Sequence, residues 1–97
     1  AYDIARRVTV LFGGYDGNRD AETWEWDGTN WTLRAPMTSP TARYDHAMSY
    51  DAGRGVVVLF GGDIGGGETW EYDGINWAQR APAASPSPRR YHAMAYD

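Results

Sequence analysis

Oxygen-bearing side chains in the segment YDGNRDAE are the first candidates for chemistry in this sequence. They stand at every second position: Asp16, Asn18, Asp20 and Glu22. Calcium-binding loops begin with this spacing, because it turns successive oxygen ligands toward one ion. Such a loop requires glycine where this chain has Ala21, and acidic loops rich in glycine commonly join strands. We therefore predict a solvated loop, with calcium binding as the alternative.

Two histidines are the second candidates. His46 and His92 each follow an arginine by three residues, namely Arg43 and Arg89. Imidazoles gathered around one axis bind metal ions or anions. No order of serine, histidine and aspartate typical of hydrolases stands out, and no glycine-rich phosphate loop follows a strand pattern. We predict no catalytic residue and no cofactor.

The composition narrows the classes of protein and partner. A chain of 97 residues forms one small domain, and without cysteine neither disulfides nor cysteine-ligated zinc can stabilise it. The net charge is −4, and the nine basic residues are scattered among thirteen acidic ones, which predicts no nucleic-acid and no membrane partner. No targeting signal, apolar membrane span or initiator methionine is present. We expect a mature or excised segment and predict no particular compartment.

An internal repeat organises the chain. Residues 22–51 align with residues 68–97 at an offset of 46 without a gap, and 19 of the 30 positions are identical. Upstream, VTVLFGG at 8–14 matches VVVLFGG at 56–62 at an offset of 48. Similarity at a fixed period of about 20–50 residues is typical of propellers and solenoids. The sequence therefore divides into two repeats, about 1–50 and 51–97.

Each repeat predicts four short strands. The apolar runs VTVLF and VVVLF have the pattern of inner strands buried on both faces. The run ETWEW alternates, so we expect the face of Trp24 and Trp26 to pack. The opposite face, with Thr23 and Glu25, is expected to meet water. An Asp-Gly turn then leads to an exposed outermost strand, and a proline-rich link leads to an alternating strand that contains histidine.

In these features the chain resembles the kelch repeat and the related central-domain repeats of galactose oxidase. The resemblance rests on the strand ending in LFGG, the ETWEYDG segment, the spaced tryptophan, the proline-rich link and the Arg-x-x-His strand. The residues that recur in both halves are Gly13, Gly14, Gly61, Gly62, Trp24, Trp70, Trp31, Trp77, Arg43, Arg89, His46 and His92. The resemblance implies an all-β fold, a β-propeller of four-stranded kelch-like blades with two blades in this chain.

The resemblance also bears on the candidate metal sites. It implies that the recurring arginine and histidine form structural hydrogen bonds between blades, and metal binding at His46 and His92 is the alternative. Galactose oxidase binds copper with tyrosine and cysteine ligands, and this chain has no cysteine. Copper chemistry therefore does not carry over.

Two blades are fewer than the ~4–8 blades of a propeller. The first repeat has only AYD of its innermost strand, whereas the chain ends with the complete strand RRYHAMAYD. We expect the C-terminus of another copy to complete the first blade, so that copies associate head to tail and close a ring. Three copies would give six blades, which is the predicted homotrimer. Four copies would give eight blades, the alternative homotetramer.

The predicted function is that of a non-catalytic structural and interaction module, an excised or engineered propeller fragment that self-assembles. The alternative is a lectin-like module that binds a protein or carbohydrate through exposed tryptophans and loops. Loop residues that differ between the repeats are the candidates for such contacts: Tyr15, Arg19, Ile64 and residues 65–67. We expect the repeated tryptophans to lie mainly in the core between blades.

Overall fold

The computed structural model describes all 97 residues, which form eight β-strands and no helix. The strands are β1 (Tyr2–Asp3), β2 (Val8–Tyr15), β3 (Arg19–Trp26), β4 (Trp31–Arg34), β5 (Ala47–Asp51), β6 (Val56–Phe60), β7 (Thr69–Tyr72) and β8 (Trp77–Arg80). Aromatic and β-branched residues are frequent in the strands, as their strand propensities predict. No helix is available that could cross a membrane.

The strands form two antiparallel sheets of four, ordered β1-β2-β3-β4 and β5-β6-β7-β8. Within each sheet, every strand pairs with the next one along the chain, so each sheet is a simple meander. The all-β class with four strands per sheet, as predicted from the sequence, is confirmed.

An Asp-Gly turn sets the register between the two outer strands of each sheet. Asp27 Oδ1 accepts hydrogen bonds of 2.8 Å from the amides of Thr29 and Asn30. Gly28 has a φ of 101°, which glycine adopts without steric cost. The turn places Trp26 opposite Trp31. The turn at Asp73 is built in the same way.

The two sheets pack face to face around one core. The first sheet contributes Val10 and Phe12, and the second contributes most of the aromatic surface. The core consists of Val10, Phe12, Tyr50, Val57, Leu59, Trp70, Tyr72 and Trp77. Burial of these apolar groups between the sheets is the main stabilising contribution to the fold.

One predicted face is wrong. Thr23 and Glu25 were expected to meet water, but they are only 1% and 2% exposed and lie against the second sheet. The half-exposed face of the first sheet is the one that carries Trp24 and Trp26. Alternation divides the side chains of a strand between two faces, but the position of the neighbouring sheet decides which face is covered.

The inner edges of the two sheets differ in length. β5 pairs with β6 at five positions, from Ala47 opposite Phe60 to Asp51 opposite Val56. β1 pairs with β2 only at Tyr2 and Asp3, and Ala1 adds two backbone hydrogen bonds to Val10. Leu11 and Phe12 therefore have no innermost strand beside them.

The expected innermost strand around His92 is not formed, because residues 81–97 contain no strand. The equivalent strand of the second sheet begins at Ala47, one residue after His46. A strand requires a paired neighbour, and none of the eight strands pairs with this segment. Instead, the Tyr96 hydroxyl accepts a 3.1 Å hydrogen bond from the Gly53 amide.

Candidate functional site

The contact between the two sheets of this chain, called here the covered seam, is centred on Trp77. Its indole is 1% exposed and lies edge-on to Phe12, with 5.3 Å between ring centroids. It also stacks on Tyr72 at 5.0 Å, and its Nε1 donates a 3.0 Å hydrogen bond to Thr23 Oγ1. A buried indole N–H needs an acceptor, so Thr23 on the polar face of the first sheet fits this position.

A buried carboxylate forms the second part of the covered seam. Glu25 accepts hydrogen bonds from Arg6 at 2.8 Å, from Arg34 at 2.9 Å and from the Tyr72 hydroxyl at 3.1 Å. Burial alone would raise the pKa of Glu25, but the bonds from Arg6 and Arg34 outweigh it, so this pKa lies below its ordinary value. Burial and the nearby Glu25 charge raise the pKa of Tyr72 to about 12. Glu25 therefore stays ionised and Tyr72 stays a donor at neutral pH.

Arg43 joins the two sheets from the link between them. Its backbone accepts a 2.9 Å hydrogen bond from the Gly14 amide of the first sheet. Its fully buried guanidinium donates to the carbonyl oxygens of Gly61 and Gly65 at 3.1 and 3.2 Å and to Glu68 at 2.6 Å. This geometry is a structural hydrogen-bonding arrangement between the sheets.

The predicted ligand loops lie at the same junction. Arg19 forms an ion pair with Asp63 and lies 5.7 Å from the centroid of the Tyr44 ring. Tyr15 packs on Tyr44 with 5.1 Å between ring centroids. Ile64 is 41% exposed. Arg19 thus reaches the second repeat through Asp63, whereas Tyr15 packs on Tyr44 in the link between the sheets and stays 65% exposed.

The candidate metal ligands, which the sequence offered only as an alternative, do not converge. No group of three or more His, Cys, Asp or Glu side chains is arranged to hold an ion. Asp16 Oδ1 accepts a hydrogen bond from the Asn18 amide, and Asp20 Oδ1 accepts one from the Glu22 amide. These carboxylates stabilise the hairpin between β2 and β3.

Both histidines support phenylalanines of the β2 and β6 strands. The rings of His46 and Phe12 meet edge to face at 5.8 Å, as do those of His92 and Phe60 at 5.7 Å. His92 Nε2 lies 2.8 Å from the Phe60 carbonyl oxygen, so Nε2 carries the proton and donates. In both rings Nδ1 is buried without a partner.

The first sheet leaves an aromatic surface uncovered on its outer side, called here the Trp31 face. It consists of Leu11, Trp24, Trp26 and Trp31 and contains an open cleft of about 440 Å³. The corresponding residues of the second sheet are Leu59, Trp70, Tyr72 and Trp77, all buried in the covered seam. Trp31 is 47% exposed, whereas Trp77 is 1% exposed. This aromatic surface is therefore covered in the second sheet and open in the first.

The second sheet leaves the opposite kind of surface outside the covered seam, called here the Val58 face. It consists of Val58, Phe60, Thr69 and Glu71, and a cleft of about 330 Å³ separates part of it from the segment around His92. Val58 and Thr69 are partly exposed, whereas Phe60 and Glu71 are each 7% exposed, because His92 packs on Phe60 and two arginines bind Glu71. The corresponding residues of the first sheet are Val10, Phe12, Thr23 and Glu25, which are all buried in the covered seam. The Trp31 face and the Val58 face thus repeat the two halves of the covered seam.

Sequence reasoning missed two arginines of this arrangement. Arg6 bridges Asp3 and Glu25 in the first sheet, and Arg54 repeats the bridge in the second. A signal for them was present, because both lie in a Tyr-Asp-x-x-Arg segment that recurs at the offset of 48.

Comparison with known proteins adds no assignment to these observations. The chain matches no protein-family model. It also has no match among curated proteins.

Proposed function

We propose that this chain is a non-catalytic module that associates head to tail with copies of itself. One observation carries the proposal: the Trp31 face and the Val58 face have the composition and geometry of the two halves of the covered seam. Each copy therefore offers one complementary surface at either side. An interface between unlike surfaces is heterologous and continues from copy to copy until rotation closes a ring.

The covered seam provides the template for the contacts between copies. Phe60 of one copy would lie edge-on to Trp31 of the next, as Phe12 lies on Trp77. The Trp31 indole would donate to Thr69, as Trp77 donates to Thr23. Burial of this aromatic surface provides the driving force for association.

Two further contacts follow from the same template. Arg89 is exposed in the single chain, whereas its counterpart Arg43 is buried. In the proposed contact Arg89 would reach Glu22, the counterpart of Glu68. Ala93 and Met94 repeat Ala47 and Met48, which pair with Phe60 and Leu59. In another copy, where the innermost strand is missing, Ala93 would pair with Phe12 and Met94 with Leu11.

The kelch-like pattern favours a ring of six blades from three copies. Eight blades from four copies is the alternative ring. Both rings contain the same seam between copies and differ in the angle between neighbouring blades, so the mass in solution distinguishes them.

Two variants on opposite faces test the proposal. Trp31→Ala removes the indole from the Trp31 face, and Val58→Glu places a charge on the Val58 face. Each variant alone is expected to stay monomeric, because one of its two faces is damaged. An equimolar mixture should form a dimer, since intact Val58 and Trp31 faces then come from different chains. A monomeric wild type would overturn the proposal, and so would a mixture that stays monomeric while the wild type associates.

A lectin-like function is the second candidate, and the open cleft of the Trp31 face favours it. Trp24 and Trp31 flank this cleft, and indole rings are suitable platforms for sugars. A glycan panel tested against the monomeric Val58→Glu variant by tryptophan fluorescence measures such binding. A saturable change that Trp31→Ala abolishes supports carbohydrate binding, and no response across the panel contradicts it.

A further inference from the structure

Arg6 binds two carboxylates of its own sheet and packs across the covered seam on the other sheet. Arg6 donates to Asp3 at 2.7 Å and to Glu25 at 2.8 Å, both in its own sheet. Its guanidinium also lies 5.7 Å from the centroid of the Tyr72 ring of the other sheet. A methyl group at Gly74 would lie 2.9 Å from Arg6 Nε, so this arginine packs directly onto the turn after Tyr72.

Arg54 has the same bonds in its own sheet but no aromatic partner. It donates to Asp51 at 2.7 Å and to Glu71 at 2.6 Å. The hydrogen bond from Arg54, together with a second one from Arg80, holds the pKa of Glu71 below its ordinary value. The Arg54 side chain is 56% exposed, compared with 32% for Arg6. Two carboxylates therefore orient its guanidinium while its outer surface remains free.

The matching aromatic position lies on the Trp31 face. Trp26 is the counterpart of Tyr72, and the turn after it contains Gly28, the counterpart of Gly74. A methyl group at Gly28 would meet no atom within 4 Å. The turn that holds an arginine in the second sheet is thus vacant in the first.

We propose that Arg54 of one copy stacks on Trp26 and the Gly28 turn of the next, and that this pair determines the specificity of association between copies. The inference rests on the proposed head-to-tail contact. Indole is the most favourable aromatic partner for a cation, and a guanidinium stacks on it with its planar face.

The proposed contact between copies has a tryptophan where the covered seam has a tyrosine, and this removes one hydrogen bond to the buried carboxylate. Trp26 lacks the hydroxyl that Tyr72 donates to Glu25 at 3.1 Å. Between copies Glu71 would therefore depend on its two arginines, and the arginine-aromatic contact would carry more of the specificity than it does inside the chain.

A double-mutant cycle in the mixed dimer tests the pair. The Val58→Glu chain supplies the intact Trp31 face, and Trp26→Leu is added to this chain. The Trp31→Ala chain supplies the intact Val58 face, and Arg54→Ala is added to that chain. Dissociation constants are measured by sedimentation for the four combinations. If the two residues did not interact, the fold losses in affinity of the two single changes would multiply in the double combination. We expect the measured loss of the double combination to be about fivefold smaller than that product, the size of a partly desolvated cation-π contact.

Arg80 provides the matched control. It also donates to Glu71, at 2.9 Å, and its side chain is 59% exposed, but its counterpart Arg34 has no aromatic contact in the covered seam. The losses in affinity caused by Arg80→Ala and by Trp26→Leu should therefore multiply when the two changes are combined. The inference would be overturned if the affinity losses of Arg54→Ala and Trp26→Leu also multiplied. It would be overturned as well if Arg54 and Arg80 showed equal coupling to Trp26. A parent pair that does not bind overturns the head-to-tail contact itself, which separates the two failures.

Discussion

Arg43 is the residue on which the junction between the two sheets most depends. Its planar guanidinium reaches two carbonyl oxygens and a carboxylate from one buried position. Lysine carries the same charge but cannot present donors in this fixed fork. The fully buried position also means that water cannot replace a lost bond.

Arg43→Lys is expected to lower the free energy of unfolding by about 2 kcal/mol, the typical cost of losing hydrogen bonds between charged and buried groups. Arg89→Lys is the matched control, because Arg89 is exposed in the single chain and should change this free energy by less than about 0.5 kcal/mol. Urea unfolding at one low chain concentration measures both. Equal effects of the two substitutions would contradict the structural role of Arg43.

His46 gives the stability a predictable dependence on pH. Burial lowers the pKa of His46 below its ordinary value near 6.5; Arg43 and His92 act in the same direction, and the Phe12 carbonyl and Asp45 oppose them. The unfolded chain therefore binds a proton at a pH where the folded chain does not. The free energy of unfolding should fall as the pH drops below about 6.5 and through the lower folded pKa.

Urea unfolding at pH 7.5 and pH 5 tests this dependence, with His46→Asn as the comparison. The variant lacks the imidazole, so its stability should change less between these two pH values than that of the wild type. If the free energy of unfolding of His46→Asn changes between the two pH values as much as that of the wild type, other groups cause the pH dependence.

At the scale of single residues, the sequence identified the recurring arginine and tryptophan but missed Thr23 and Glu25, which accept hydrogen bonds across the covered seam. Arg43 and Trp77 were recognised because they recur in both halves. The burial of Thr23 and Glu25 was not predictable, since it depends on which side the second sheet approaches. Local alternation carries no information about that side.

The strands and turns follow most directly from the sequence. The apolar run before each double glycine and the alternating ETWE segment both form strands with the predicted pairing. The C-terminal strand is the exception, because pairing along an edge is not a property of the segment itself. A strand pattern without an available partner remains irregular in the single chain.

One backbone position between elements is strained in a way that a substitution can relieve. Asp45 and Tyr91 occupy equivalent places before the histidines, with φ values of 63° and 61°. Aspartate tolerates this left-handed region, whereas tyrosine does not. Tyr91 recovers part of the cost through its contact with Arg90, whose guanidinium lies 5.1 Å from the ring centroid.

Tyr91→Asn is expected to raise the free energy of unfolding by about 0.5–1 kcal/mol, because relief of strain exceeds the loss of an exposed cation-π contact. Arg90→Asn loses the same contact without relieving any positive φ, so it should bring no gain. Thermal unfolding of the two variants provides the measurement. A loss of stability in Tyr91→Asn would mean that the left-handed position is not strained.

At the scale of the whole molecule, the central feature is that each sheet has one face in the covered seam and one face outside it. The sequence repeat predicted two similar units but not which faces they would bury. With the covered seam as the template, each of these two remaining faces matches a different half of the seam in residue type, so the two faces complement each other. Association between copies would cover the exposed parts of both faces, which a small chain without disulfides has few other means to cover.

The mass of the wild-type chain in solution tests this account most directly. Light scattering after size exclusion, at concentrations from well below to above micromolar, should show a concentration-dependent assembly of three times 10.8 kDa. Four times that mass would support the eight-bladed ring. A folded monomer at every concentration would contradict the head-to-tail contact.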